Sequence, residues 1–283
     1  MGRRVYAWRV NLQQLRMLAG SNDQQKLEQL RAKVEGRTQE GMLSGEGRAF
    51  QNWQLGGLGE LAPFEDIEVL IRYPPDEIRL SGVDAVHAVI SLCALLGAEL
   101  TQYSFYQYRS HYDDVSDAFY IAGGEQFDAG EIFFHESSPP FDIPLPEVFP
   151  GILTIEAELV SAVAETLAVR GLSNPRWAAT VATLRDAAQQ SPEHQAVFDA
   201  YFEQVDTILR RMPLLRDNIE HSLEMAVDMK DDPVCIQVET NHLRTNAEQE
   251  LNQNEDTTAV FEELVHWFES AAAERQGIVL LIY

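Results

Sequence analysis

The stretch IVLLIY at residues 278–283 is six apolar or aromatic residues in a row, with no polar residue at alternate positions. A strand with one wet face alternates, so a run of this kind predicts a strand buried on both faces in the middle of a sheet. Such a strand needs neighbours on both sides. RVYAWRV at residues 4–10 mixes β-branched and aromatic residues like a strand. Further strand candidates are the tyrosine-rich TQYSFYQYRSHY (101–112), EIFFHE (131–136) and VCIQVE (234–239). The fold class that follows is α+β, with a mixed sheet containing both chain termini and an acidic helical insertion. The core domain is expected over residues 1–153 and 231–283, and the helical segment over 154–230.

Turn and cap residues set the helices between these strands. Asn11 begins a short helix ending at Gly20, and a second, SNDQQKLEQLRAKVEG, closes at Gly36. Residues 37–60 carry many glycines and read as a surface loop. SGVDAVHAVISLCALLG at 81–97 has a Ser cap, a Gly stop and apolar residues almost all round, as a buried helix does. Five prolines between Pro139 and Pro150 exclude a helix or a central strand there; Phe141 and Phe149 are expected to clamp this connector. Helices are then predicted from a Thr154 cap to Gly171, from Asn174-Pro175, from Ser191-Pro192, and from Pro213 to Met229, where Asp231-Asp232-Pro233 ends the last. TTAVFEELVHWFESAAAERQG supplies one more helix before the final strand.

Charge narrows the function. The chain has 45 acidic and 21 basic residues, a formal −24, and is 45% hydrophobic over 283 residues, enough for a full core. The excess is uneven: residues 1–60 hold 9 Lys and Arg against 6 Asp and Glu, and residues 61–283 hold 12 against 39. A field of that sign repels nucleic-acid phosphate and anionic lipid and attracts basic partners. Solubility, adaptation to high salt and an inhibitor or immunity role all fit the excess; only three residues, Lys26, Lys33 and Lys230, are lysines. Cys93 and Cys235 are too few for a disulfide framework. The apolar run at 85–98 falls short of the about 20 residues of a membrane span. MGRRVYAWRVNLQQL lacks the apolar core of a signal peptide, and Tyr6 stands where a myristoylation signal has Ser or Thr. Cytoplasmic location is expected.

Several tempting motifs read better as surface. Glu263 and His266 form a Glu-x-x-His, half of a carboxylate-bridged metal site, but the apolar stripe Val260, Phe261, Leu264, Val265, Phe268, Ala271 and Ala272 lies on the other side of that helix, so both are expected to face water. A second such pair, Glu239 and His242, would come straight off a strand. Asp217, His221, Glu224 and Asp228 line one helix face opposite Leu215, Ile219, Leu223 and Ala226, the pattern of a solvated side. HYDDVSD at 111–117 is a dense set of ligand atoms, without the glycine and terminal Glu of an EF-hand loop, and reads as a polar loop. No Gly-x-Ser-x-Gly elbow, Walker A run or Rossmann fingerprint occurs, so no cofactor or catalytic residue is expected.

Alternation along 101–112 puts Tyr103, Phe105, Arg109 and His111 on one side of the expected strand, and tyrosines with an arginine suit a recognition surface. With Asp113 and Asp114 they form the candidate binding set. The expected function is a non-catalytic acidic binding protein, immunity- or inhibitor-like, with a basic protein partner. The rival is a metal- or carboxylate-dependent enzyme with a pocket near residues 103–117.

Three stretches, VYAWRVNLQQLRMLAGSND, EIFFHESSPPFDIPLPEVFPGILT and WFESAAAERQGIVLLIY, resemble an uncharacterised family of soluble bacterial proteins. The resemblance implies that both ends and the proline-rich middle belong to one fold, and that the acidic block at about 171–230 is an insertion. It implies no activity and no site residues.

Overall fold

The computed structural model describes residues 3–39, 61–101, 105–107, 109–123, 139–143 and 151–282. They fall into two compact units, one of Met1–Arg109, Gly130–Ala162 and Glu263–Tyr283, the other of Ser110–Ala129 and Val163–Glu262.

The first unit holds the sheet. Strand β1 (Arg3–Val10) is followed by α1 (Leu12–Leu18), α2 (Gln24–Gln39), α3 (Phe64–Arg72), α4 (Gly82–Leu96) and the short strands β2 (Ala98–Glu99) and β3 (Phe105–Gln107). Strands β4 (Gly151–Ile155) and β5 (Gly277–Ile282) complete it. The order is β2-β1-β5-β4, with β3 also paired to β1. As IVLLIY requires, β5 lies between β1 and β4, its six residues all buried. Every pairing among the described residues is antiparallel, so the sheet they form is antiparallel and not mixed.

Register sorts the side chains. Tyr6 lies opposite Leu281 and Trp8 opposite Val279, and these four join Val10 and Ile152 in one core with Leu15, Leu30, Ile67, Leu70, Val89 and Ile90 from α1 to α4. Each such aliphatic side chain contributes about 1.5–3 kcal/mol by leaving water. On α4 the buried residues run unbroken from Ala85 to Cys93 and include Ser91, whose Oγ accepts from the Ala62 N–H at 2.8 Å. Gly97 ends this helix where the chain meets β1; a Cβ there would stand 2.0 Å from the Arg9 carbonyl oxygen. Arg16 grips Glu156 with two donors and gives Nε–H to the Pro140 carbonyl at 2.9 Å. Phe141 packs against the core as the clamp reading requires, while Phe149, EIFFHE and most of the proline run lie outside the described residues.

The helical unit contains most of α5 (Arg109–Gly123), the second half of α6 (Ala157–Ala168), then α7 (Ala178–Ala188), α8 (Pro192–Arg211), α9 (Arg216–Asp228) and α10 (Pro233–Gln253), and the first part of α11 (Glu255–Ala273). Its core gathers Trp177, Leu184, Phe198, Val205, Ile219, Leu223, Ile236 and Leu243. Four of the expected caps form: Asn11, Ser81, Asn174 and Ser191 each accept a backbone N–H two or three residues on.

Four expectations are corrected. VCIQVE is not a strand but the first turns of α10, because Ile236, Thr240, Leu243 and Ala247 recur at helical spacing on its buried side. Thr154 is no helix cap: it pairs with Val279 inside β4, and α6 starts after Glu156. Gly36 does not stop α2, which continues to Gln39; the remainder of the expected loop, 40–60, lies outside the described residues. Of the expected tyrosine-rich strand, Phe105–Gln107 is strand and 109–112 is helix, with 102–104 and 108 outside the described residues; HYDDVSD is helix, since Val115, Ala118, Phe119 and Ala122 bury one face of α5.

Candidate functional site

The candidate binding set divides between two elements. Phe105 is in β3, opposite Val5 of β1; Arg109, His111, Asp113 and Asp114 are on α5; Tyr103 lies outside the described residues. The helix sets Arg109 and Asp113 one turn apart, and His111 and Asp114 three residues apart, where alternation along a strand had put Phe105, Arg109 and His111 together. Asp114 is exposed.

The helical unit carries the more informative surface. Asp217, His221, Glu224 and Asp228 are all exposed along α9, while Ile219, Leu223 and Ala226 are buried. Asp231 and Asp232 extend the row to the start of α10, where Asp232 accepts from the Val234 and Cys235 N–H groups as its cap. These hydrogen bonds, led by the one from the Cys235 thiol, hold the Asp232 carboxyl below its usual range. Glu224, Asp228 and Asp231 have no cationic partner within 4 Å among the described residues. The same two helices carry apolar side chains left in water: Val234 and Val238, one turn apart on α10, are 69% and 63% exposed, and Met225 on α9 is 39% exposed.

A polar chain joins these helices, buried at its Tyr201–Ser222 end and open to solvent at His242. Ser222 Oγ donates to Glu239 Oε1 at 2.7 Å, which uses its one proton, so the Tyr201 hydroxyl 3.1 Å away is the donor to Ser222. His242 Nδ1 lies 3.8 Å from Glu239 Oε2, and Asn246 Nδ2 donates to His242 Nε2 at 3.2 Å, which makes Nδ1 the protonated nitrogen of the neutral ring. Serine, histidine and carboxylate are thus close, in the wrong order for acyl transfer. The serine is 2% exposed and bonds the carboxylate, and histidine is at the far end. The arrangement is a strut joining α8, α9 and α10.

Domain of unknown function (DUF7691) is the description of the family whose model matches residues 1–210 of this chain. That span is about three quarters of the sequence. The chain belongs to the DUF7691 family. No curated protein and no solved structure matches it. The DUF7691 match covers the N-terminal and proline-rich stretches and runs on through residues 171–210, without reaching the stretch at 267–283.

In this DUF7691 chain neither cysteine is an activated nucleophile. Cys93 is fully buried, which pushes its thiol far up; Cys235 donates to Asp232 Oδ2 at 3.3 Å, and that bond raises its pKa. His266 is exposed as expected, while Glu263 is half-buried, so the opening pair does not share one environment. Glu239 and His242 sit within α10 and not off a strand. Among the described residues no group of three or more His, Cys, Asp or Glu could hold a metal ion, and no helix is long and apolar enough to cross a membrane. Sequence reading missed Val234 and Val238 as surface residues because a strand reading hid them; Pro233 after Asp232, a cap with Pro at the first turn, was the signal that marks them as helical.

Proposed function

We propose that the protein is a cytoplasmic, non-catalytic bacterial binding protein of the inhibitor or immunity type, which engages a basic protein partner through the α9–α10 surface and neither nucleic acid nor membrane. One observation carries this reading: exposed Val234, Val238 and Met225 occur on the two helices that carry or flank the carboxylates Glu224, Asp228 and Asp231, which have no cationic partner among the described residues. Two valines in water gain by burial, and an acidic surround selects a cationic partner and speeds its arrival. The two unbridged cysteines and the resemblance to soluble bacterial proteins support the location.

Retention of proteins from lysate by the tagged full chain, at about 50 mM and about 500 mM salt, tests the reading. The expected result is a basic protein held at low salt, released at high salt, and lost with both Val234→Ser/Val238→Ser and Glu224→Gln/Asp228→Asn. Recovery of nothing at any salt, or equal retention by both variants, contradicts it.

A further inference from the structure

Glu239 differs from the carboxylates around it. Glu224, Asp228 and Asp231 stand exposed in water, while the Glu239 side chain is only 18% exposed. A carboxylate covered to that extent has given up most of its hydration and needs hydrogen bonds or a cation in its place. Glu239 receives one hydrogen bond from a neutral hydroxyl, Ser222 Oγ to Oε1 at 2.7 Å. Its second oxygen, Oε2, stands 3.8 Å from His242 Nδ1, beyond hydrogen-bond reach, and that ring is a cation only when protonated. Among the described residues no Lys or Arg forms an ion pair with it.

Helical spacing fixes what surrounds this oxygen. Only residues 229–232 join α9 to α10, so the two helices form a hairpin, and the Ser222–Glu239 bond marks the sides on which they meet. Met225, three residues beyond Ser222, lies on that same side of α9 and is 39% exposed. On α10, Cys235 and His242 stand one turn either side of Glu239, with the His242 side chain 64% exposed. Val238 points away from buried Ile236, Thr240 and Leu243 and is 63% exposed. The half-buried carboxylate thus lies in a seam whose open edges are a thioether, an imidazole and an exposed valine.

We propose that Glu239 is the anchor of the contact, taking the guanidinium of an arginine from the basic partner, with the arginine stem over Val238 and Met225. This inference rests on the α9–α10 contact proposed above and adds its specificity-determining residue. Water can satisfy Oε2 but leaves the charge unbalanced; a guanidinium does both. Arginine suits the seam better than lysine because its planar, weakly hydrated head stacks on flat and polarizable side chains and loses less hydration on entry. Glu224, Asp228 and Asp231, exposed and screened by salt, steer the partner, whereas the desolvated pair at Glu239 holds it.

Nuclear magnetic resonance titration of the isotope-labelled full chain with acetyl-Leu-Arg-Leu-amide tests the proposal. Saturable shifts of the Val238, Glu239 and His242 amides are expected, and the citrulline counterpart, of the same shape without the charge, should bind about ten-fold more weakly or less. Glu239→Gln keeps an acceptor for Ser222 and should weaken the arginine peptide by about ten-fold or more, while Glu203→Gln, exposed on α8, should leave it unchanged. Circular dichroism checks that both variants fold. Absence of saturable shifts in the unaltered chain overturns the proposal, as does equal binding of the citrulline peptide, or equal weakening by both variants, which would mark a general charge effect. The contact is read separately from its anchor. A Glu239→Gln chain that retains the basic protein from lysate as tightly as the parent chain overturns the anchor and leaves the contact standing. Peptide binding at Glu239 with no basic protein retained supports the arginine site and contradicts the contact.

Discussion

Glu99 and Glu263 set two carboxyl groups against each other in the sheet-bearing unit. Burial, and after it the charge of Glu263, pushes the Glu99 carboxyl up from 4.5 to about 7, and its Oε1 is sealed from solvent with no hydrogen-bond partner. The folded chain therefore holds this proton more tightly than the unfolded chain does. Stability from this group is complete below pH 4.5 and is lost as pH rises through about 7. Glu99→Gln is expected to stabilise the protein at pH 8 by about 2 kcal/mol, allowing for partial exposure, and to have little effect at pH 4. Urea unfolding at the two pH values measures both; a stabilisation that is the same at each pH would show that the carboxyl does not titrate in this range.

Gly97→Ala is expected to destabilise by about 3 kcal/mol, because the new methyl would meet the Arg9 carbonyl at 2.0 Å and β1 cannot withdraw without giving up its pairing with β5. Thermal unfolding of the variant measures the cost, and an unchanged midpoint would mean that α4 and β1 do not meet at this distance.

Ser222→Ala removes the acceptor of Tyr201 and the donor to Glu239 together, and should cost about 1–3 kcal/mol. Tyr201→Phe leaves the Ser222–Glu239 bond intact and should cost less. If the serine variant proved as stable as the parent protein, the Tyr201–Ser222–Glu239 chain would not be holding α8, α9 and α10 together.

Much of this architecture was legible in the sequence, and the failures have a common cause. IVLLIY could be placed because burial on both faces leaves no alternation, and four caps could be placed because Asn and Ser accept from the backbone locally. The errors arose where a short window was outweighed by a longer one. Val234, Ile236 and Val238 alternate like a strand over five residues, but Ile236, Thr240, Leu243 and Ala247 bury a helical face over twelve. Thr154 looks like a cap locally, and pairing with β5 across the chain decides otherwise. Of the proposed contact surface, the acidic row on α9 was legible from its spacing. Its exposed apolar neighbours were not, since exposure of Val234 and Val238 depends on how α10 packs.

A formal −24 on a chain whose described acidic side chains lie mostly at the surface stores repulsion that salt screens. The melting temperature is expected to rise by a few degrees as sodium chloride increases from about 0.05 M to about 1 M. A flat or falling profile would place the carboxylates in pairs that salt weakens. Val234→Ser/Val238→Ser should leave the melting temperature nearly unchanged, within about 0.5 kcal/mol of stability, because neither valine is part of the core.

The central claim is that the α9–α10 surface is the contact for a basic partner. Carboxyl labelling read by mass spectrometry, on the free chain and on the chain with its captured partner, measures this most directly. Glu224, Asp228 and Asp231 are expected to label in the free chain and to be protected in the complex, while exposed Asp186 and Glu203 on α7 and α8 label equally in both. Labelling of Glu224, Asp228 and Asp231 that is unaffected by a bound partner would contradict the claim.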